Sequence, residues 1–499
     1  MNGQPSSDAR AYNPRHVPTL AHGLDAVLNR CGVHWLQDPD TGEFNFPKYL
    51  ATIPQPDQFA FDRVGRFMPP SKDPNMPRIM RDSFSMFGGS TSSLTGILGQ
   101  IYFLLSDFKP TSNDMLGSEF KDAPRAFSRG QRVASSVCLH YSKGTYLTDI
   151  DESHLPSEEV PMILLSLGIL LEKFLTLPQE EFAQLLKSNE GGSYTQHEDV
   201  HRYAKAFLMR SQLDCVHENL PGSGVFDLKT RANYHVRHDV YNYLQHTNST
   251  LRSLKGPTDS FEKEFHDMIR NSFLDYSFQA RIGNMDGVFV AFHNTARIFG
   301  FQYISLDEMD ECLYGVSGTG QRVFQRCVYI MERLYRTITK SFPKKSLYCT
   351  FETRGNVAKG TPPVLRVWVE PKDYYGPGRS RPVKEFTLSL VNYVDGARVS
   401  GDEAVMSKSP WDVRYVIELR EKDQKAIRRR RAKAYAAQRG LGSFGPARTP
   451  TQDEPAEEEE TDDDLPDVSS TEVTSVIEGH VDDTMIASQP NAPPVDVTS

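Results

Sequence analysis

Apolar and polar positions alternate with a period near two on both sides of one short polar interruption, between Phe207 and Arg231. The segment Phe207 to Cys215 is apolar at its start and carries Asp214 near its end. The segment Val225 to Arg231 alternates, so both read as strands. His217 to Gly224 between them is rich in Asn, Pro, Gly and Ser, the residues that supply turn geometry. A period of two sends Asp227 and Lys229 to one face and Phe226 and Leu228 to the other. Antiparallel pairing through the turn would set Asp214 beside Asp227, since cross-strand neighbours lie roughly 5 Å apart.

Other elements follow from their own periods. Ser90 to Leu105 predicts a helix, capped by Ser and Thr and apolar at Leu94, Ile97, Leu98 and Ile101. Ser136 to Tyr141 and Thr145 to Ile150 predict a hairpin turned at Ser142-Lys143-Gly144 and closed by an Asp149/Asp151 pair. Glu159 to Leu177 predicts an apolar helix interrupted by Glu172 and Lys173, with Glu172 on the face of Gly168, Ile169 and Leu175. An unpaired carboxylate there would be costly to bury, so Glu172 reads as bound to a metal or a hydrogen-bond partner, or as half of a helix-end ion pair with Lys173 or a neighbour. Asn233 to Arg252 predicts a polar surface helix, Asp259 to Asn284 one long amphipathic helix, and Gly287 to His293 a buried strand. Beyond these come a helix over Arg322 to Thr339 and antiparallel strands at 347–353, 364–370, 385–393 and 411–418. Glu421 to Arg439 predicts a helix bearing Arg428 to Arg431 and Lys433, suited to phosphates or an anionic surface, or to a solvated connector.

Charge divides the chain. Its formal net charge is −9, but from Leu441 to Ser499 one arginine stands against fifteen acidic residues, leaving the first 440 residues at +5. A mildly basic body suits a phosphate-rich partner. The six cysteines are scattered without Cys-x-x-Cys spacing, which excludes a zinc ribbon and a disulfide scaffold and implies a reducing compartment. No apolar run reaches the roughly 18–20 residues of a spanning helix, so any membrane association is expected to be peripheral. The first sixteen residues are neither an Arg-rich amphipathic leader nor a secretion signal.

Two carboxylates and a lysine converging on one spot have a chemical use. Mg²⁺, or Mn²⁺ in its place, takes oxygen ligands from one or two carboxylates, water and substrate phosphate. A lysine alongside can orient the attacking water and offset charge on the phosphate. An Asp-x-Lys triplet alone reads equally as a salt bridge on a hairpin. The Asp-tipped strand thirteen positions earlier is what points to metal.

The Asp214 … Asp227-x-Lys229 pattern resembles the PD-(D/E)XK nuclease superfamily. Four stretches, Val17 to Asp25, Gly32 to Pro39, Ser90 to Gly96 and Phe226 to Ala232, together resemble the fungal mitochondrial membrane-associated family needed for 5′-end processing and turnover of mitochondrial RNA. The resemblance implies an α/β (α+β) fold with a nuclease-like core in the order helix, strands, helix, strand. Read along the sequence, the chain is expected to divide into 1–16 (disordered), 17–130 (arm and helix), 131–310 (core), 311–420 (α/β part with a small antiparallel sheet), 421–440 (basic helix) and 441–499 (disordered acidic tail), the resemblance spanning about Val17 to Arg420. The resemblance makes Glu172 the candidate first acidic ligand beside Asp214 and Asp227, and Lys229 the catalytic lysine. Arg210, Arg231 and Gln279, with Arg281 near by, are candidates for backbone phosphate. Gly283 occupies the place of the tyrosine in the exonuclease branch's Gln-x-x-x-Tyr. The implied partners are mitochondrial RNA and the mitochondrial RNA polymerase or degradation machinery, at the periphery of the inner membrane. Two functions stay open: a Mg²⁺-dependent ribonuclease, or a non-catalytic RNA-binding or transcription-associated scaffold that keeps the nuclease fold.

Overall fold

The computed structural model describes residues 17–65, 67–151, 163–189, 198–203, 206–357, 360–374, 381–442 and 473–487. The expected disorder of 1–16 and the start of the 159–177 helix lie outside them.

The fold is mixed α/β, with two sheets. The smaller runs, edge to edge, Val33–Trp35, Ile298–Ser305, Gly287–His293, Val225–Ala232 and Cys215–Val216. Its strand Val225–Ala232 pairs antiparallel with Cys215–Val216 and parallel with Gly287–His293. Parallel pairing needs a long crossover, and the segment between includes the helices Phe261–Asn271 and Phe273–Gly283. With helix Ile163–Thr176 before the strands, the order is the helix–strands–helix–strand that the resemblance implied.

Both faces of this sheet are covered, as a parallel sheet requires. Phe226, Leu228, Phe289, Ala291 and Phe301 pack under helix Ile163–Thr176 and the arm residues Leu24, Val27 and Leu50. Val288, Val290 and Phe292 face the other way, onto Phe261, Phe265, Phe273 and Phe278. The arm is thus a wrapping segment, as its prolines and scattered aromatics suggested.

The larger sheet runs Val473–Val481, Trp411–Arg420, Lys384–Val394, Thr361–Pro371, Leu347–Asn356, Ser135–Ser142, Thr145–Ile150, Phe87–Ser90, Phe207–Gln212 and Glu198–Tyr203, with Ala397–Val399 on the flank of Lys384–Val394. It therefore joins strands from the arm, core, C-terminal and tail segments. Helix Thr91–Leu105 lies in the common core with twelve of its fifteen residues buried, the state of a helix that is apolar all round. Its start is capped within the chain: the Ser90 amide donates to Ser93 Oγ (3.1 Å) and Ser90 Oγ pairs with Ser92 Oγ (2.8 Å).

Three expectations are corrected. The long helix over 259–284 breaks at Ser272, whose φ of −142° and ψ of −33° leave the helical region; the break lets Phe265 and Phe273 meet edge to face at 5.2 Å. Asn233 to Arg252 is a short helix, Tyr234–His238, followed by a 3₁₀ stretch, Val240–His246. The acidic tail is not structureless throughout, because Val473–Val481 pairs with Trp411–Arg420 and closes that end of the large sheet. Asp483 just beyond it accepts from the Trp411 amide (3.0 Å) and pairs with the fully buried Arg326 (2.7 Å), which fixes the strand in place.

The basic helix Gln424–Gly442 turns arginines toward the sheet. Arg430 pairs with Glu385 (2.8 Å) and Arg431 with Glu370 (2.6 Å), while Arg428 donates to the Arg381 carbonyl (2.6 Å). Ile427 and Ala434 are buried with Trp368. These three arginines hold the helix on the sheet and are not laid out for an external anion.

Candidate carboxylate–lysine site

The site sits where the small sheet changes from antiparallel to parallel pairing. Cys215 stands opposite Phe226 and Val216 opposite Val225, so continuing the register puts Asp214 opposite Asp227. The turn that sets this register is held by one side chain. Asp286 accepts from the Ser223 amide (3.0 Å), Ser223 Oγ (3.0 Å) and the Gly224 amide (2.6 Å). Gly224 has φ +74°, and a Cβ there would lie 2.8 Å from the His217 carbonyl, so the turn needs glycine.

The Leu228 amide donates to Asp214 Oδ2 (3.1 Å), fixing that carboxylate beside the strand. Lys229 Nζ lies 2.6 Å from Asp227 Oδ2 and 5.3 Å from the centre of the Tyr276 ring. Burial and the neighbouring Asp227 charge push the Asp214 carboxyl well above the usual carboxylate range. Burial acts on Asp227 in the same direction, but Lys229 and the hydrogen bond from Asp214 outweigh it and hold that carboxyl low. Burial alone would lower Lys229; Asp227 and Asp214 reverse this and keep it charged. Asp214 is therefore the member of the pair that holds a proton more readily, beside a fixed cation. Two carboxylates compressed in this way are relieved when a divalent cation replaces the proton, and their oxygen donors suit Mg²⁺ or Mn²⁺.

Glu172 approaches from the helix on the opposite face of the sheet, where Gly168 opens toward Thr230 (3.9 Å from a built Cβ). Its charge contributes to raising Asp214, but its carboxylate is bound to Lys173 at 2.5 Å. Among the described residues no three His, Cys, Asp or Glu side chains are gathered into a ligand set. The structure thus brings Asp214, Asp227 and Lys229 together and leaves Glu172 at the margin.

Arg231 is the next residue along the same face. It is 7 % exposed, its Nε donates to Glu264 Oε2 (3.2 Å), and its NH2 group has no partner among the described residues. Glu264 is itself held by Arg237 and by the Tyr234 amide (2.6 Å), and Arg237 also reaches Asp267 (2.9 Å). Arg210 lies in the large sheet, 2 % exposed, paired with Asp73 (2.8 Å) and bonded to the Met68 carbonyl, so its charge is already engaged. Gln279 is half-buried one helical turn beyond Asp275 and Tyr276. Arg281 is buried and doubly bonded to Asp310 (2.7 Å), which makes it a core ion pair. Asp149 is held by the Ser71 amide (3.0 Å) and by His140 (3.2 Å), a local tie.

Sequence reasoning missed two neighbours, Tyr276 and Asp275, and had set Lys173 against Glu172 as a possible helix-end ion pair. Tyr276 was visible only as one apolar position of its helix. Asp275, whose carboxyl burial raises to about 6, feels the Lys229 charge. Lys173, 3 % exposed, is the cation that occupies Glu172. The presence of Glu172 beside Lys173 was the only available signal, and it does not say which of the two turns inward.

Fold and site together define a mixed α/β protein with an Asp/Asp/Lys group at the junction of its small sheet. The model of the family described as mitochondrial protein Pet127 matches residues 67–336, and the chain belongs to that family. A Schizosaccharomyces pombe protein named as the mitochondrial mRNA degradation protein pet127 is 38% identical over 362 residues, 72% of this chain and 68% of that one. A Saccharomyces cerevisiae protein named PET127 and assigned to the mitochondrial translation system is 33% identical over 317 residues, 60% of this chain and 38% of that relative. Among solved structures, Scheffersomyces stipitis Rai1 is similar over 65% of this chain and 89% of its own, with 12% identity and a TM-score of 0.34. Candida albicans Rai1, crystallised with pU5 and Mn²⁺, covers 68% of this chain and 90% of its own, with 10% identity and a TM-score of 0.33. Both relatives named above are mitochondrial by name, and no described helix is long and apolar enough to cross a membrane.

Proposed function

We propose that this chain is a mitochondrial RNA-turnover and 5′-end-processing factor that hydrolyses RNA phosphodiester bonds with a divalent cation, Mg²⁺ or Mn²⁺. One observation carries the reading: Asp214 and Asp227 meet across the strand pair while Lys229 stands 2.6 Å from Asp227. Asp214 and Asp227 would hold the ion, which when bound supplies Lewis acidity toward the phosphate and a more acidic water. Lys229 then keeps its positive charge beside the scissile group and offsets charge that develops on the phosphate oxygens. Arg231, two residues along the same face, would bind a neighbouring phosphate oxygen; its buried, unpartnered NH2 supports this role. Glu264 and Arg237 keep that guanidinium from swinging away. The name of the fission-yeast relative supports RNA as the substrate. Partnership with the RNA polymerase or degradation machinery, and contact with the inner membrane, belong to this reading as well.

The experiment uses full-length protein with 5′- and 3′-labelled single-stranded RNA, in Mg²⁺, Mn²⁺ or EDTA, beside Asp227→Ala. Cleavage that requires metal and disappears in the variant establishes the reading, and the two labels give polarity. RNA bound by both proteins and cut by neither overturns it.

That negative result would support the second reading, a non-catalytic RNA-binding scaffold. One observation favours it: Glu172 is bound to Lys173 and does not complete a ligand set.

A further inference from the structure

The arm builds a cavity of about 520 Å³ on the flank of the small sheet. This lies within the range of roughly 300–1,000 Å³ of small-ligand sites. Its walls come from the 3₁₀ turn Leu24–Val27, the edge strand Val33–Trp35 and the loop that follows. Three of its rings are braced by others, which fixes their planes. Trp35 meets Phe261 edge to face at 4.7 Å, Phe46 meets Phe301 edge to face at 5.3 Å, and His22 leans on Tyr49 at 5.5 Å.

The polar groups are few. Arg30 is exposed at the rim and has no carboxylate partner among the described residues. His34 Nε2 is buried and has no hydrogen-bond partner among them. Asn45 donates through Nδ2 to the Trp35 carbonyl (3.0 Å), which leaves its amide oxygen as an acceptor. No Asp or Glu lines the cavity. Rigid rings, one unopposed guanidinium, an amide and an unsatisfied imidazole nitrogen are the combination that stacks a base and holds the adjoining phosphate.

We infer that this cleft binds one nucleotide of a single-stranded RNA, with its base stacked on Trp35 and its phosphate on Arg30. The inference rests on RNA being this protein's substrate, and it adds a binding site separate from the carboxylate–lysine group. The strand would be anchored by the arm while another part of it reaches Asp227. Sequence-tolerant binding follows, because every base offers a ring face.

The structure supplies its own reporter. The chain has three tryptophans; Trp368 and Trp411 are 1% and 2% exposed, and Trp35 is half-buried. Full-length protein in EDTA is titrated with a short oligouridylate and, separately, with uridine monophosphate, while tryptophan emission and the anisotropy of labelled RNA are followed. The expected result is quenching by the oligonucleotide that vanishes in Trp35→Phe. Arg30→Glu, at an exposed position, should weaken RNA binding roughly tenfold with an unchanged melting temperature. RNA binding that leaves emission unchanged, or is equally tight in Arg30→Glu, overturns the cleft and leaves the phosphodiesterase reading intact. Mononucleotide binding as tight as that of the oligonucleotide overturns the assignment to a strand. Quenching that persists in Asp227→Ala, whatever happens to cleavage, upholds the cleft independently of the metal reading.

Discussion

Lys229→Met keeps the length of the side chain and removes its charge. In the native protein Lys229 lies 2.6 Å from Asp227, with the two side chains 23% and 8% exposed, buried enough for the pair to count as an interior one. The cation is what holds the Asp227 carboxyl low against burial. Without it Asp227 joins Asp214, whose carboxyl is already pushed up by burial and by Asp227 itself. Both carboxyls then titrate above their unfolded value of about 4. A carboxyl raised in the folded state binds a proton that the unfolded chain releases. The variant's stability therefore falls as pH rises from about 4 through the raised value. Removing one partner of a buried pair costs roughly 3–5 kcal/mol when the other stays charged. In a chain of this length each kcal/mol moves Tm by about 1 °C, so at about pH 8 the variant should melt roughly 3–5 °C below wild type. At about pH 5 protonation of the pair should shrink the gap to within roughly 1 °C. Thermal melts by calorimetry at both pH values, free of divalent ions, measure it. A gap of equal size at both pH values would refute the coupled-proton argument.

Other outcomes follow from single contacts. His293, 1% exposed, has its pKa lowered by burial to about 4; the unfolded chain takes up a proton that the fold refuses, so about 3 kcal/mol of stability is lost as pH falls from about 6.5 to 4. His293→Gln should flatten that part of the denaturant-derived stability profile, and an unchanged slope would count against it. Asp483→Ala removes the carboxylate from buried Arg326, and amide exchange over 473–481 should accelerate by about tenfold or more, with the rest of the large sheet unaffected. A Cβ at Gly300 would lie 2.5 Å from the His34 carbonyl. Gly300→Ala should cost about 1–3 kcal/mol through this overlap and shift Trp35 emission to the red as the edge strand lifts; unchanged emission would show that the strand tolerates the side chain.

The sequence by itself determined the local elements and one long-range relation. Period two in Val225 to Arg231 and the Gly-rich turn before it fixed both the face on which Asp227 and Lys229 stand and the register that opposes Asp214. That information is local, because a hairpin's register follows from its turn and its alternation. Capping serines and apolar spacing likewise marked the helix Thr91–Leu105. What only the tertiary structure decided concerns charges whose partners are distant in sequence. Arg210 reads as a phosphate ligand until Asp73 is seen beside it. Arg430 and Arg431 read as a basic surface until Glu385 and Glu370 face them. Glu172 reads as a ligand until Lys173, not Glu172, proves the more deeply buried of the two. The tail strand Val473–Val481 is hidden in an acidic, proline-rich context and forms because the edge of Trp411–Arg420 offers a ladder and Arg326 a partner for Asp483. Periodicity reports which way a side chain points; what waits there is set by chain segments that meet only on folding.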